Sequence, residues 1–169
     1  MLNRTTTHHW PRIAVASLAT VALLAACAKP PVIEPPPPPV SVAVDVTASV
    51  DANPDPDGRA SPVTVRLHQL SDDTAYGKAD LLTLWNDEAA TLGAASAGRY
   101  EILLAPGGSA RADFKLDPAT RSIGVAAAFR DYRGATWKTN APLPGQVAPG
   151  STIRLIVTVG RDAVSARWQ

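Results

Sequence analysis

From Val40 onward the chain alternates. Val40, Val42, Val44, Val46 and Val50 are interleaved with Ser41, Asp45, Thr47 and Ser49, the period of two that gives a strand one buried and one wet face. The pattern returns in Val63, Val65 and Leu67 against Thr64, Arg66 and His68, and in Ala110, Ala112, Phe114 and Leu116 against Arg111, Asp113 and Lys115. Ile153, Leu155, Val157 and Val159 form another set, opposed by Thr152, Arg154 and Thr158, and Val164, Ala166 and Trp168 a short last one. Ile123, Val125, Ala127 and Phe129 alternate with small residues, Gly124, Ala126 and Ala128. Tyr100 to Leu104 and Ala135 to Thr139 carry weaker versions. Pro106-Gly107-Gly108, Asp117-Pro118, Asp131 to Gly134, Pro149-Gly150 and Gly160-Arg161-Asp162 fall between these runs, where chains reverse. Seven to eight short strands so spaced predict a mainly β domain over 40–169, an antiparallel β-sandwich.

One stretch breaks the alternation. Between Thr74 and Gly93, Ala79, Leu82, Trp85 and Ala89 recur at helical spacing, with Leu81 and Leu84 close by. Asp72 and Asp73 precede the stretch and Gly93 can end it. The expectation is a small helical insert, about 74–93, between strands 2 and 3.

Ahead of the alternating region, Pro30, Pro31 and the run Pro35 to Pro39 fix φ and lack amide donors, so no helix or central strand forms there. Extended polyproline rises about 3.1 Å per residue, giving a stand-off of roughly 35–40 Å. Further upstream, Arg4 and Arg12 precede an uncharged stretch from Ile13 to Ala26, too short to span a bilayer and suited to a signal-peptide core. It ends in Leu24-Ala25-Ala26-Cys27, which resembles the bacterial lipobox. The resemblance implies cleavage after Ala26 and lipidation of Cys27. Residues 1–26 then read as a signal peptide and 27–39 as lipidated N-terminus and linker. A periplasmic protein with an ordinary cleaved signal, or an apolar N-terminal helix, would not need the chain's one cysteine at this position. Ala28 is not the aspartate that usually retains lipoproteins in the inner membrane, so the address reads as the outer membrane.

Cleavage at Cys27 leaves 143 of the 169 residues, a single-domain length, with 14 basic and 15 acidic groups. No cluster of Lys and Arg interleaves with aromatics, so nucleic acid is not an expected partner. Catalytic chemistry is thin. His68 is the one histidine after residue 26 and stands on the polar side of its strand, where a solvated side chain is expected. No HxxxH or CxxC spacing and no nucleophile elbow is present. Asp72-Asp73 and Asp87-Glu88 read as solvated charge flanking the helices. The expectation is no enzyme, no catalytic or metal residues, no cofactor beyond the lipid and no small-molecule substrate.

The stretch Asp51-Ala52-Asn53-Pro54-Asp55-Pro56-Asp57-Gly58-Arg59-Ala60-Ser61 is distinctive. Two X-Pro pairs stiffen it and Gly58 permits a turn. Asn53, Asp55, Asp57 and Gly58 partly mimic the start of a calcium loop, but Thr64 stands where the ligating glutamate belongs. A solvated connection is the plain alternative. A stiff loop loses little entropy on binding, so a protein-binding role leads, with Asp51, Asn53, Pro54, Asp55, Pro56, Asp57, Gly58 and Arg59 as candidates.

The lipobox, the first alternating strand, Asn53 to Pro62 and Val65-Arg66-Leu67-His68-Gln69-Leu70 follow one another in a recognisable order. Ala79-Asp80 with Leu84, Leu104-Ala105-Pro106-Gly107, Gly124 to Arg130 and Trp137 continue it. In this the chain resembles the TssJ (SciN-type) family, outer-membrane lipoproteins of the type VI secretion system. Tyr76 stands slightly ahead of the family's usual aromatic before Ala79-Asp80. The resemblance implies a transthyretin-like sandwich that ties the secretion membrane complex to the outer membrane. It does so by binding the periplasmic C-terminal region of TssM, with TssL engaged indirectly, and the loop between strands 1 and 2 carries much of that contact. Another periplasm-facing lipoprotein, a pilotin-like assembly factor or a carrier, is the other reading. It would need an apolar groove, for which Gly124, Ala126 and Ala128 could form a floor unless the helical insert packs on them.

Overall fold

The computed structural model describes residues 35–169, and Pro37–Gln169 form one compact unit. Leu24, Ala25, Ala26 and Cys27, with the signal peptide and most of the linker, lie outside the described residues. The eight strands are β1 (Ser41–Ala48), β2 (Val63–Leu70), β3 (Ser96–Leu104), β4 (Ser109–Lys115), β5 (Ser122–Ala127), β6 (Lys138–Pro142), β7 (Thr152–Val159) and β8 (Val164–Trp168). Three short helices, α1 (Thr74–Lys78), α2 (Leu81–Asn86) and α3 (Glu88–Leu92), stand between β2 and β3 and close with a 3₁₀ turn at Gly93–Ala95.

The strands form two four-stranded sheets, ordered β4-β1-β7-β8 and β3-β2-β5-β6. Val42, Val44 and Val46 of β1, Val65 and Leu67 of β2, Ile123 and Val125 of β5 and Leu155 and Val157 of β7 bury their side chains between them. Each contributes about 1.5–3 kcal/mol relative to exposure. Tyr100 stacks on Phe114, ring centroids 4.2 Å apart, and ties β3 to β4 where the chain changes sheets.

Most of the pairing is antiparallel, as the short turns between the runs predict, but β1 and β7 run parallel from Ser41↔Thr152 to Ala48↔Val159. Side-chain alternation carries no information about strand direction, so only the structure reveals this. Val50 is not in the buried set with the other β1 valines. It lies beyond the strand end and is 81 % exposed, while Ala48 takes the last inward position. The weak run at 135–139 is displaced to β6 at Lys138–Pro142, and Thr136 instead makes a lone bridge to Ala163.

The helical insert lies over the outer face of the β3-β2-β5-β6 sheet. Its buried side chains are Tyr76, Leu81, Leu84 and Leu92, and Leu82, expected on the packed stripe, is half exposed. One continuous helix would bury the expected stripe. Breaks at Ala79 and Asp87 reset the rotation instead, because Asp80 and Asp87 each start a new helix by accepting the amides of Thr83 (3.0 Å) and Ala90 (3.2 Å). Tyr76 lies on Gly124, where a Cβ would meet its ring at 2.8 Å, and Ala126 beside it is fully buried. The small residues of β5 are therefore covered by the insert and do not floor an open groove.

His68 is not solvated. It is fully buried beneath the insert, its Nδ1 3.2 Å from Glu88 Oε1. Burial lowers its pKa, with Glu88 opposing. The polar side of β2 faces helices rather than water, and its residues grip them. Arg66 donates to Glu101 Oε2 (2.7 Å) and to the Trp85 carbonyl (3.0 Å), its guanidinium 3.9 Å from the Trp85 ring centroid. Glu88 also takes Arg99 at 2.9 Å, so it is no solvated flank. From β6, Lys138 Nζ donates to the carbonyls of Tyr76, Gly77 and Ala79 at 2.8, 2.9 and 2.6 Å, a cation at the carbonyl end of α1. Asn140 donates to Asp73 Oδ2 at 2.6 Å.

Candidate partner interface

The connections β1–β2 (49–62), β3–β4 (105–108), β5–β6 (128–137) and β7–β8 (160–163) gather at one end of the sandwich. Backbone bonds link them: Ala48 to Gly108, Gly107 to Ser49 and Asn53 to Arg161, all N–H to carbonyl at 2.9–3.0 Å. The N-terminal segment enters at the other end. There the Pro38 and Val40 carbonyls accept the amides of Gly150 (2.9 Å) and Leu116 (2.8 Å), so the last prolines lie along the domain.

Two residues shape the 51–61 loop from within. Asn53 is 2 % exposed with φ of 51°, a left-handed conformation that asparagine tolerates better than most residues. Its Nδ2 donates to the Pro62 carbonyl (2.6 Å) and its Oδ1 accepts the Arg130 amide (2.7 Å). Asp55 organises the tip. Its Oδ1 accepts the amides of Asp57 (3.1 Å) and Arg59 (2.9 Å), and its Oδ2 takes the Arg59 guanidinium at 2.8 and 3.0 Å. The Arg59 amide, then the Arg59 side chain, hold the Asp55 carboxyl below the usual carboxylate range against some desolvation. Gly58, with φ of 81°, closes the turn onto the Asp55 carbonyl.

The candidate residues therefore divide. Asn53 is buried and Asp55 mostly turned inward, whereas Asp51, Pro56, Asp57, Gly58 and Arg59 are exposed and Pro54 half-buried. Asp51 is held by the Ser49 hydroxyl at 2.6 Å, which lowers its pKa.

Pro54 stands between two clefts. One, of about 220 Å³, includes Phe129, Asp131, Arg161 and Asp162; the other, of about 360 Å³, includes Asp55, Pro56, Arg130 and Asp131. The sequence marks residues 131–134 and 160–162 only as turns. Asn53 joins both to the loop: its Oδ1 accepts the Arg130 amide, 77 residues along the chain, and its own amide donates to the Arg161 carbonyl.

A model of the type VI secretion lipoprotein family, described by the members VasD, EvfM and TssJ, matches residues 40–162. The chain belongs to this family. Among solved structures, the type VI lipoprotein TssJ1 from Pseudomonas aeruginosa is 36% identical, with 78% of this chain and 98% of that chain covered and a TM-score of 0.71. A chain of a structure described as a type VI membrane complex is 26% identical over 75% of this chain and 97% of that one, TM-score 0.64. A structure described as the TssM C-terminal domain (869–1107) from EAEC contains a chain 24% identical, with 75% and 97% covered and a TM-score of 0.58, a likeness of fold. No curated protein sequence matches. The TssJ sandwich with its helical additions is thus the fold of this chain, and the family is a structural lipoprotein component of the secretion system, not an enzyme.

Proposed function

We propose that this lipoprotein tethers the type VI membrane complex to the outer membrane, lipidated on Cys27 and docking the periplasmic C-terminal region of TssM through its 51–61 loop. The observation that carries the reading is polarity. The N-terminal segment reaches the sandwich at one end, and the loop projects from the other, one length of β1 away. Eight strand residues at about 3.3 Å each separate the two by roughly 26 Å. A loop shaped internally by Asn53 and Asp55 presents Pro56, Asp57, Gly58 and Arg59 with little conformational freedom left to lose on docking. The rim residues Arg130, Asp131, Arg161 and Asp162 add charges of both signs that can fix the register of a complementary surface. No cofactor other than the lipid is needed for such a role. The fold of a chain found in a structure described by TssM's C-terminal domain is consistent with this partner.

The test is binding of the full chain to purified TssM periplasmic C-terminal region. Pro56→Gly with Asp57→Lys leaves Asn53 and Asp55 intact, so the unfolding midpoint should hold while affinity falls at least about tenfold, the size of one lost anchor. Unchanged affinity would move the interface off this loop.

A further inference from the structure

The two broad faces of the sandwich carry opposite charge. Over the β3-β2-β5-β6 sheet, the insert from Asp72 to Leu92 holds Asp72, Asp73, Asp80, Asp87 and Glu88 against Lys78, and the strands beneath add Arg66, Arg99 and Lys138 against Glu101, a net charge of −2. Asp72, Asp80 and Asp87 accept the backbone amides of Thr74, Thr83 and Ala90. Leu82, half exposed, stands two residues after Asp80 and five before Asp87. The outer face of the β4-β1-β7-β8 sheet is covered by no described element. It presents Arg111, Lys115, Arg154 and Arg167 against Asp45 and Asp113, a net charge of +2. Asp45 bridges Arg111 (2.8 Å) and Arg154. At the middle of this face Ile156 is a half-buried apolar position, in register between Asp45 and Arg167.

We propose that copies of this chain associate side by side through these unlike faces, the insert of one seated on the open sheet of the next. Leu82 meets Ile156 at the centre, and aspartates meet arginines around it, an apolar centre within a polar rim. The contact is heterologous, so it leaves a free face at each end and builds a row or a closed ring rather than a two-fold dimer. An eight-residue, four-stranded face spans roughly 500 Å², so two such faces bury roughly 1,000 Å². That is the size of a weak, transient contact. Both faces are lateral to the axis joining the two ends of the molecule. Copies held in one membrane would therefore present them to each other at high effective concentration. The face-to-face contact itself does not depend on the tether reading.

The test is disulfide trapping with the full chain in detergent. Leu82→Cys and Ile156→Cys are made separately, and the parent chain, whose one cysteine is Cys27, sets the background. A link in the parent would bear on lipidation of Cys27 and not on the faces. Above that background, the two variants mixed should give a linked dimer at least tenfold more abundant than either alone. High salt, or Lys115→Glu with Arg167→Glu in the Ile156→Cys chain, should cut the yield about tenfold. No linked dimer in the mixture, equal linking by Leu82→Cys alone, or a yield indifferent to salt and charge reversal would each overturn the proposal.

Discussion

Asn53 has a positive φ, and its side chain spans the base of the loop from Pro62 to Arg130. Asn53→Ala leaves a part-buried carbonyl and a part-buried amide without their Asn53 partner and adds backbone strain. It should cost about 3 kcal/mol in urea unfolding. Asn53→Gly relieves the strain but not the lost bonds, and should recover about 1 kcal/mol. His68 makes a second prediction. Burial holds its pKa below the ordinary 6.5, so the unfolded chain binds the proton more readily than the folded one. The associated stability is fully present above pH 6.5 and is lost as pH falls from there toward the folded-state value. Stability should fall as pH drops through that window, by at most about 1.4 kcal/mol per pH unit for this one group. Chemical denaturation of wild type and His68→Gln between pH 5 and 8 checks it, since the variant should lose that slope and nothing above pH 7.

At the scale of elements, the insert is fastened by side chains from the sheet beneath it as much as by its own leucines. Lys138→Met removes the cation that three carbonyls of the α1 end share. Amide exchange over 74–86 should quicken by on the order of 10–100-fold while β2 and β5 keep their protection. Equal loss in the sheet would show that insert and sheet open as one unit. The strands were legible because alternation in Val42 to Val46 or Ile153 to Val159 has no competing explanation. The insert was legible as helix but not as three helices, because Asp80 and Asp87 act as caps only once the chain has chosen to break there. His68 was misread for a related reason. Period two separates a strand's faces but does not say whether the polar one meets water or another layer. In the candidate site, the stiff Pro-Asp-Pro-Asp-Gly run marked the loop. Its division into an inner Asn53 and Asp55 and an outer Pro56 to Arg59 depended on partners such as Arg130, far along the chain.

Across the whole molecule, attachment and docking are assigned to opposite ends, so they should fail independently. Cys27→Ser should move the chain from the membrane to the soluble fraction, as judged by fractionation. Its affinity for the partner region should stay within about twofold, since the sites are separate and additive. Retention in the membrane would remove the lipid from the scheme, while lost affinity would show that the two ends communicate.

The order of elements along β1 has a mechanical consequence. The strand that receives the N-terminal segment at Ser41 is the one that leads, past Ala48, into the 51–61 loop. A load between lipid and docked partner would therefore run along a single covalent backbone that is already almost fully extended. It would not have to cross the hydrogen bonds between neighbouring strands. Those bonds, to β4 on one side and β7 on the other, would steady the strand without bearing the pull. Between Ser41 and Ala48 the molecule has almost no slack to release, and should transmit tension as an inextensible strut.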